Sequence, residues 1–451
     1  MTSKTTTQEA ILSGSIAPTI LKLALPTMVV LIAQTAVSVA EAAYVGRLGT
    51  APLAGVALVF PLFMLMLTMS NGGIGSGVAS AVARATGAGR KADANALLWH
   101  SLALAALLGL LFTLGAWFFG RPLYRAMGGE GEALEAAVLY SNWLFAGAIP
   151  VWIVNLLSGA MRGSGNVKVP AMVTLIGAVI LIPASPALIF GFGPIPKLGI
   201  AGAGVAYAIY YLGACALLLR YMRTGKSGLT LAKQSLSSHH FKDILKVGVP
   251  AAVTTAFSNL TVIIVTAAVG FFGINAIAGY GNAARLDYVL IPILFGLATA
   301  VLTMVGINMG AGNAARARRI GWVGGLIGAV LTGTIGLLAA IFPDSWLQLF
   351  SQDADVLTPA RIYLQTVAPI YFAYGLGFVL MFAVQGTGHG LWGFMASALR
   401  MLIAAGVGWV AVAKYGANMQ TLSTIVAASY AGFCLVTVLS MYSPRVWITK
   451  R

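Results

Sequence analysis

Glu41 and Asp287 are the two residues whose surroundings demand a reason, because each carboxyl group interrupts a long apolar run. An acid at the centre of a bilayer costs upward of about 2.5–3.5 kcal/mol, so one that is kept there has a task. Gln34, Ser38 and Glu41 are spaced i, i+4 and i+7 and share one face of a helix. A polar face ending in a carboxyl can bind and release a proton when a conformational change alters its access to water. If that helix ended earlier, Glu41 would be interfacial instead. Asp287 lies deeper in its own apolar segment. Arg285, two residues before it, points in a nearly opposite direction, so the two cannot form an ion pair along the helix and each needs another partner.

Other chemistry is sparse. His239 and His240 lie in a basic stretch, His100 starts an apolar segment and His389 falls at a turn, while Cys215 and Cys434 sit inside apolar runs. No metal-ligand cluster or disulfide framework results, and sodium is the one metal ion left open. No GxxxxGK[ST] loop occurs, so an ion gradient is the economical energy source and no cofactor is expected. No clustered His and acids and no Ser/Lys pair at helical spacing mark a catalytic centre, which disfavours an intramembrane enzyme; a channel is disfavoured as well. Asn71, Asn155, Asn259 and Asn282, with Gln34, Ser38, Tyr207 and Arg285, could shape a polar cavity or serve interhelical hydrogen bonds. Phe60, Met64, Met66, Met69, Trp152, Tyr207, Tyr371 and Tyr374 offer soft and aromatic surface suited to bulky lipophilic cations, or simply pack helices. Of these, Met64, Trp152, Tyr371 and Tyr374 are the candidate substrate contacts.

The elements that must position these groups follow from composition. Of 451 residues, 59% are hydrophobic and 8% charged, against about 25% charged in soluble domains. A soluble enzyme is excluded. The 54 glycines suit closely packed membrane helices, and no alternating ten-residue strand pattern of a barrel occurs. Apolar windows at 17–43, 52–82, 95–119, 134–158, 168–190, 200–221, 245–271, 277–308, 320–342, 361–384, 392–413 and 422–442 predict an all-α polytopic protein of about twelve spans. The polar first fifteen residues lack a secretory pattern, so the first span is expected to remain in the mature chain.

Charge orients these spans. Even-numbered connections hold Arg90 and Lys91, Arg162 and Lys168, the basic stretch Arg220 to Lys246, and Arg316, Arg318 and Arg319. Odd ones hold fewer cations and most acids, among them Glu130, Glu132, Glu135, Asp344, Asp353 and Asp355. The cationic side is expected to be cytoplasmic and to hold both termini, Lys4 at one end and Arg445, Lys450 and Arg451 at the other. The net charge of +16 therefore points to an anionic leaflet, not to nucleic acid.

The chain also repeats itself. Ile20-Leu21-Lys22 and Pro26 recur as Ile244-Leu245-Lys246 and Pro250 at a shift of 224, as do Val45-Gly46, Gly49 and Ala54-Gly55. After one slip, Gly87-Ala88-Gly89 returns as Gly310-Ala311-Gly312 at a shift of 223, followed by Trp99 and Trp322, Phe119 and Phe342, Tyr140 and Tyr363, and Gly163 and Gly165 with Gly386 and Gly388. Units of six helices insert the same way up, which predicts two parallel lobes related by a pseudo-two-fold axis around a central cavity. The expected boundaries are an N-lobe over 1–222, a linker over 223–243 and a C-lobe over 244–451. Alternating-access transport within the lipid bilayer follows from this layout.

Tyr44-Val45-Gly46-Arg47-Leu48-Gly49 after the acid, Gly87-Ala88-Gly89, Arg285-Leu286-Asp287, Gly306-Ile307-Asn308-Met309-Gly310-Ala311-Gly312 and Phe350-Ser351 together resemble the multidrug and toxic compound extrusion (MATE) family, across essentially the whole chain. The resemblance implies a proton- or sodium-driven antiporter that expels small lipophilic organic cations through a V-shaped pair of six-helix lobes. Relatives usually carry Asp at the position of Glu41, where it serves the coupling ion, and an acid at the position of Asp287. A helix-5 pattern of Asn and Asp-Pro is replaced here by Leu181 and Ser185-Pro186, and a helix-6 Thr by Tyr207, whose hydroxyl could bond Glu41 instead. Losing two oxygen ligands favours a proton over sodium, although Ser38 and Ser185 could still coordinate a cation. The main alternative is a flippase of lipid-linked precursors, for which Arg84, Arg285 and Arg400 are the intramembrane cations. A monomer in a bacterial inner membrane is expected.

Overall fold

The computed structural model describes residues 2–448; the expected terminal cations Lys450 and Arg451, and the side chain of Lys4, lie outside the described residues. Among the described residues the chain is helical throughout, with a single isolated bridge between Phe192 and Ile195 in a loop. Eleven helices are long and apolar enough to cross a membrane, namely Ile16–Gly46, Thr50–Gly87, Lys91–Ala126, Lys168–Phe190, Ile200–Arg223, Ser238–Phe272, Ile274–Gly310, Ala314–Ile341, Ala354–Gly386, Leu391–Tyr415 and Met419–Tyr442. The fourth expected span is a helix pair, Gly131–Ala146 and Ala148–Gly163, bent by 48°, and among the described residues the number is twelve when that pair is taken as one span. In lipid only such internally hydrogen-bonded segments can cross, which is why the hydropathy pattern locates them well. The first span runs through Glu41 to Gly46, so the carboxyl belongs to the helix and not to a flanking loop.

By compactness the chain forms two units, an earlier one of 29–86 and 90–244, and a later one of 1–28, 87–89 and 245–451. The first span is divided near Pro26, which lacks the N–H to continue the helical ladder. In the later unit its first part lies against Gly296, where an added Cβ would stand 2.5 Å from Met28 Cγ. There too the short helix Thr2–Ser13 is held by its end: the Asn308 amide donates to the Ile11 carbonyl over 3.2 Å, and the Arg316 guanidinium donates to the Ile11 and Gly14 carbonyls. A cation at a helix C-terminus satisfies carbonyls that have no partner within the helix.

One close helix contact recurs at equivalent places in the two units. A Cβ on Gly163 would stand 2.4 Å from the Ala79 carbonyl oxygen in the earlier unit; one on Gly386 would stand 2.6 Å from the Leu302 carbonyl oxygen in the later. Both residues of the pair obey the shift of 223, so the internal repeat is a repeat of helix contacts. The turns that follow these helices use Gly165 and Gly388 at φ 86 and 95, a backbone conformation that side chains with a Cβ resist.

Candidate functional site

In the earlier unit the helical face of Gln34, Ser38 and Glu41 turns progressively inward, the first two half-buried and Glu41 only 8% exposed. Val37, a turn before Glu41, packs with Leu181 from the fifth span and Ala206 from the sixth, with Tyr207 and Tyr210 against them. Leu181 thus makes an apolar wall at the place where the family resemblance would put an amide. The fully buried Ser185 hydroxyl interacts with the Glu41 carboxyl. No hydrogen bond of ordinary geometry closes, and both carboxyl oxygens and the Ser185 Oγ are buried without one. Tyr140 and Tyr207 lie within electrostatic reach of Glu41. The hydrogen bond expected from Tyr207 to Glu41 is not made, because the Tyr207 ring packs edge-on against Phe63 with centroids 5.5 Å apart. What remains is one buried carboxyl, set among apolar side chains, Ser185 and two tyrosines, with open hydrogen-bonding capacity. A buried group in that condition can take up a proton or a small cation.

Asp287, in the later unit, is half-buried on the eighth span and interacts with Tyr371, Tyr430 and Arg400. Tyr280 and Tyr363, T-shaped to one another with centroids 5.0 Å apart, complete the cluster. Arg400 is 9% exposed, and its guanidinium carbon lies 5.3 Å from the Tyr374 ring centroid and 5.0 Å from that of Tyr430. Aromatic faces offset part of the cost of desolvating a guanidinium. Arg285 points elsewhere, as the two-residue spacing requires: it is exposed, with its guanidinium 4.8 Å over Phe350.

The other candidates separate by location. Asn155 donates to the Ser70 hydroxyl over 2.7 Å, and Asn71 accepts from Arg162 over 2.7 Å, so both tie the second span to the fourth. Ser70 and Asn71 lie in a π-helical stretch, Met69–Ile74, of the second span. Asn259 is exposed and bonds its own helix at the Thr255 carbonyl, and the Asn282 carbonyl accepts the Trp346 indole N–H. Trp152 is completely buried beside Phe112, within the core of its unit, while Met64 is half-buried. Tyr371 and Tyr374 belong to the Asp287 cluster. Arg84 pairs with Asp243 at 2.9 Å and with Ser80.

Tyr140, Tyr280, Tyr363 and Tyr430 are not marked as site residues by the sequence pattern, and Arg400 is marked only as a buried cation. The usable signal was the repeat, since the shift of 223 that pairs Tyr140 with Tyr363 also carries Tyr207 onto Tyr430.

The MatE family model matches residues 26–187 and again 250–410, once in each half. A protein of Shewanella oneidensis named an FAD transporter is 26% identical, with 83% of each chain covered. The probable multidrug resistance protein NorM of Deinococcus radiodurans is 29% identical over 90% of this chain and 88% of its own. Among solved structures, a MATE crystal structure in a bent conformation shares the fold with a TM-score of 0.89, at 24% identity and with 97% of each chain covered. With two family segments spanning most of its length and a dozen apolar helices to match, the chain belongs to the MatE family and is a multi-pass membrane transporter, not an enzyme.

Proposed function

We propose that this protein is a secondary antiporter that expels small lipophilic organic cations by alternating access, with a proton as the coupling ion and Glu41 as its carrier. The observation that carries this reading is the Glu41 carboxyl, buried with both oxygens free of hydrogen bonds and with no cation acting on it among the described residues. A proton needs only one such carboxyl, whereas sodium needs several oxygen ligands, and Leu181 supplies none. The coupling step follows from exchange: water reaching Glu41 from one side protonates it, and loss of that proton on the other side leaves a negative site that favours a cationic substrate. Asp287 is the second ion-responsive carboxyl, restrained by Arg400. The membrane is the bacterial plasma membrane, with both termini cytoplasmic and the monomer as the working unit. The Deinococcus relative's name agrees with drug export.

Proteoliposomes given separate pH and sodium gradients test the ion. Ethidium movement driven by pH alone, lost in Glu41→Gln and kept in Glu41→Asp, is the expected result; movement driven by sodium alone overturns the proton assignment. A second reading, export of an anionic aromatic nucleotide, is favoured by Arg400 between two tyrosine rings and by the name of the Shewanella relative. FAD accumulation in the medium of expressing cells, abolished by Arg400→Gln and without dye export, would select it.

A further inference from the structure

On the face of the membrane that carries the cationic connections, a groove of about 640 Å³ runs between the start of the seventh span, the turn before the eleventh and the end of the twelfth. Lys246, His389 and Arg445 line it, and among the described residues no acidic side chain does. Lys246 and Arg445 are exposed, coming from residues nearly two hundred apart in sequence. Its other wall is apolar: Leu391 is 63% exposed and Met395 43% exposed, with Trp392 beside them. Trp at this depth is the side chain that settles at a headgroup boundary.

We propose that this groove binds one anionic phospholipid of the adjoining leaflet, its phosphate between Lys246 and Arg445 and an acyl chain along Leu391 and Met395. Cations alone would accept a free phosphate. The exposed apolar wall beside them has no use for inorganic phosphate, yet it continues the lipid-facing surface and matches a chain attached to the headgroup. A corresponding groove of about 540 Å³ at the end of the sixth span is lined by Arg220 and Arg223 beside Leu219. Cations beside apolar surface thus occur near the end of the last helix of each repeat, supplied by the sixth span alone in the first and by three spans in the second.

The test uses the full-length protein in detergent micelles with phosphatidylglycerol and phosphatidylcholine offered in equal amounts and retention read by native mass spectrometry. Each cation near an anionic headgroup is worth about fivefold in affinity. Lys246→Gln with Arg445→Gln should therefore lower the preference for phosphatidylglycerol by roughly 25-fold, while Lys246→Arg with Arg445→Lys keeps it. Equal retention of the two lipids by the unaltered protein, or a preference untouched in the double variant, overturns the proposal. Displacement of the lipid by millimolar inorganic phosphate also overturns it, marking a free-phosphate site. If the double variant does not fold, brominated lipids decide in the unaltered protein. The fluorescence that Trp392→Phe removes should be quenched more by brominated phosphatidylglycerol than by brominated phosphatidylcholine, and equal quenching counts against the groove.

Discussion

The two units solve the burial of a carboxyl in opposite ways on nearly the same frame. Tyr140 and Tyr207 flank Glu41, and their repeat partners Tyr363 and Tyr430 flank Asp287. The acids themselves are not partners. Glu41 comes from the first span of its repeat and Asp287 from the second, at the position that Phe63 holds in the earlier unit at the shift of 224. Phe63 packs on Tyr207 where Asp287 meets Tyr430. Arg400, which acts on Asp287, is replaced at the equivalent position by Gly177, whose missing side chain is filled by the Tyr210 ring. Among the described residues no cation acts on Glu41, whereas Arg400 acts on Asp287. An acid with no resident counter-charge must acquire it from outside, as a proton, an ion or a cationic substrate. An acid facing an arginine is already compensated and responds less.

The strongest way to break this comparison is to neutralise each carboxyl in turn. Glu41→Gln should abolish gradient-driven export while membrane insertion persists, whereas Asp287→Asn should only slow it; equal losses in a dye-efflux assay would erase the distinction drawn between the units. Next in size, Arg400→Met removes the guanidinium that acts on the half-buried Asp287 and should destabilise the protein by about 1–3 kcal/mol. Adding Asp287→Asn should return part of that stability, with a coupling of about 0.5–3 kcal/mol in a thermal-denaturation cycle in detergent. Strict additivity would mean that Arg400 and Asp287 do not act together.

The shared frame can be tested as well. Gly163→Ala and Gly386→Ala each force a methyl group onto a backbone carbonyl and should cost about 1–3 kcal/mol, by similar amounts if the repeats pack alike. A large inequality in their melting temperatures would show that the repeat is looser than the glycine contacts imply. The smallest effect is expected of Ser185→Ala, which should change the coupling-ion affinity by no more than about fivefold, since a single uncharged partner contributes about 1 kcal/mol. Abolition of transport by that substitution would make Ser185 an obligatory ligand and favour sodium.

Much of the fold was legible because its signals are local. Spans are runs of apolar residues, and the fourth reads as one segment where the structure has two helices bent at Gly147, since hydropathy is blind to the bend. Placing Glu41 on a polar helical face needed only the 3.6-residue period. The environment of the acids was less legible. Tyr207 was matched to Glu41 as a hydrogen-bond donor, but edge packing on Phe63 decided its orientation. In the sequence Tyr371 and Tyr374 offer substrate surface or packing alike, and their place beside Asp287 and Arg400 depends on how the tenth span rotates against the eighth and the eleventh.

Hydropathy, helical period and the recurrence at 223–224 residues fixed the all-helical membrane architecture, its duplication and the two intramembrane acids, because each is a property of neighbours along the chain or of one half set against the other. Which groups meet each acid was decided only in three dimensions. Ser185 and Tyr207 come near Glu41 from the fifth and sixth spans, and Arg400 and Tyr430 come near Asp287 from the eleventh and twelfth. Such meetings depend on the rotation and depth of one helix against another, which are set by side-chain packing across the whole unit and leave no pattern in any single segment.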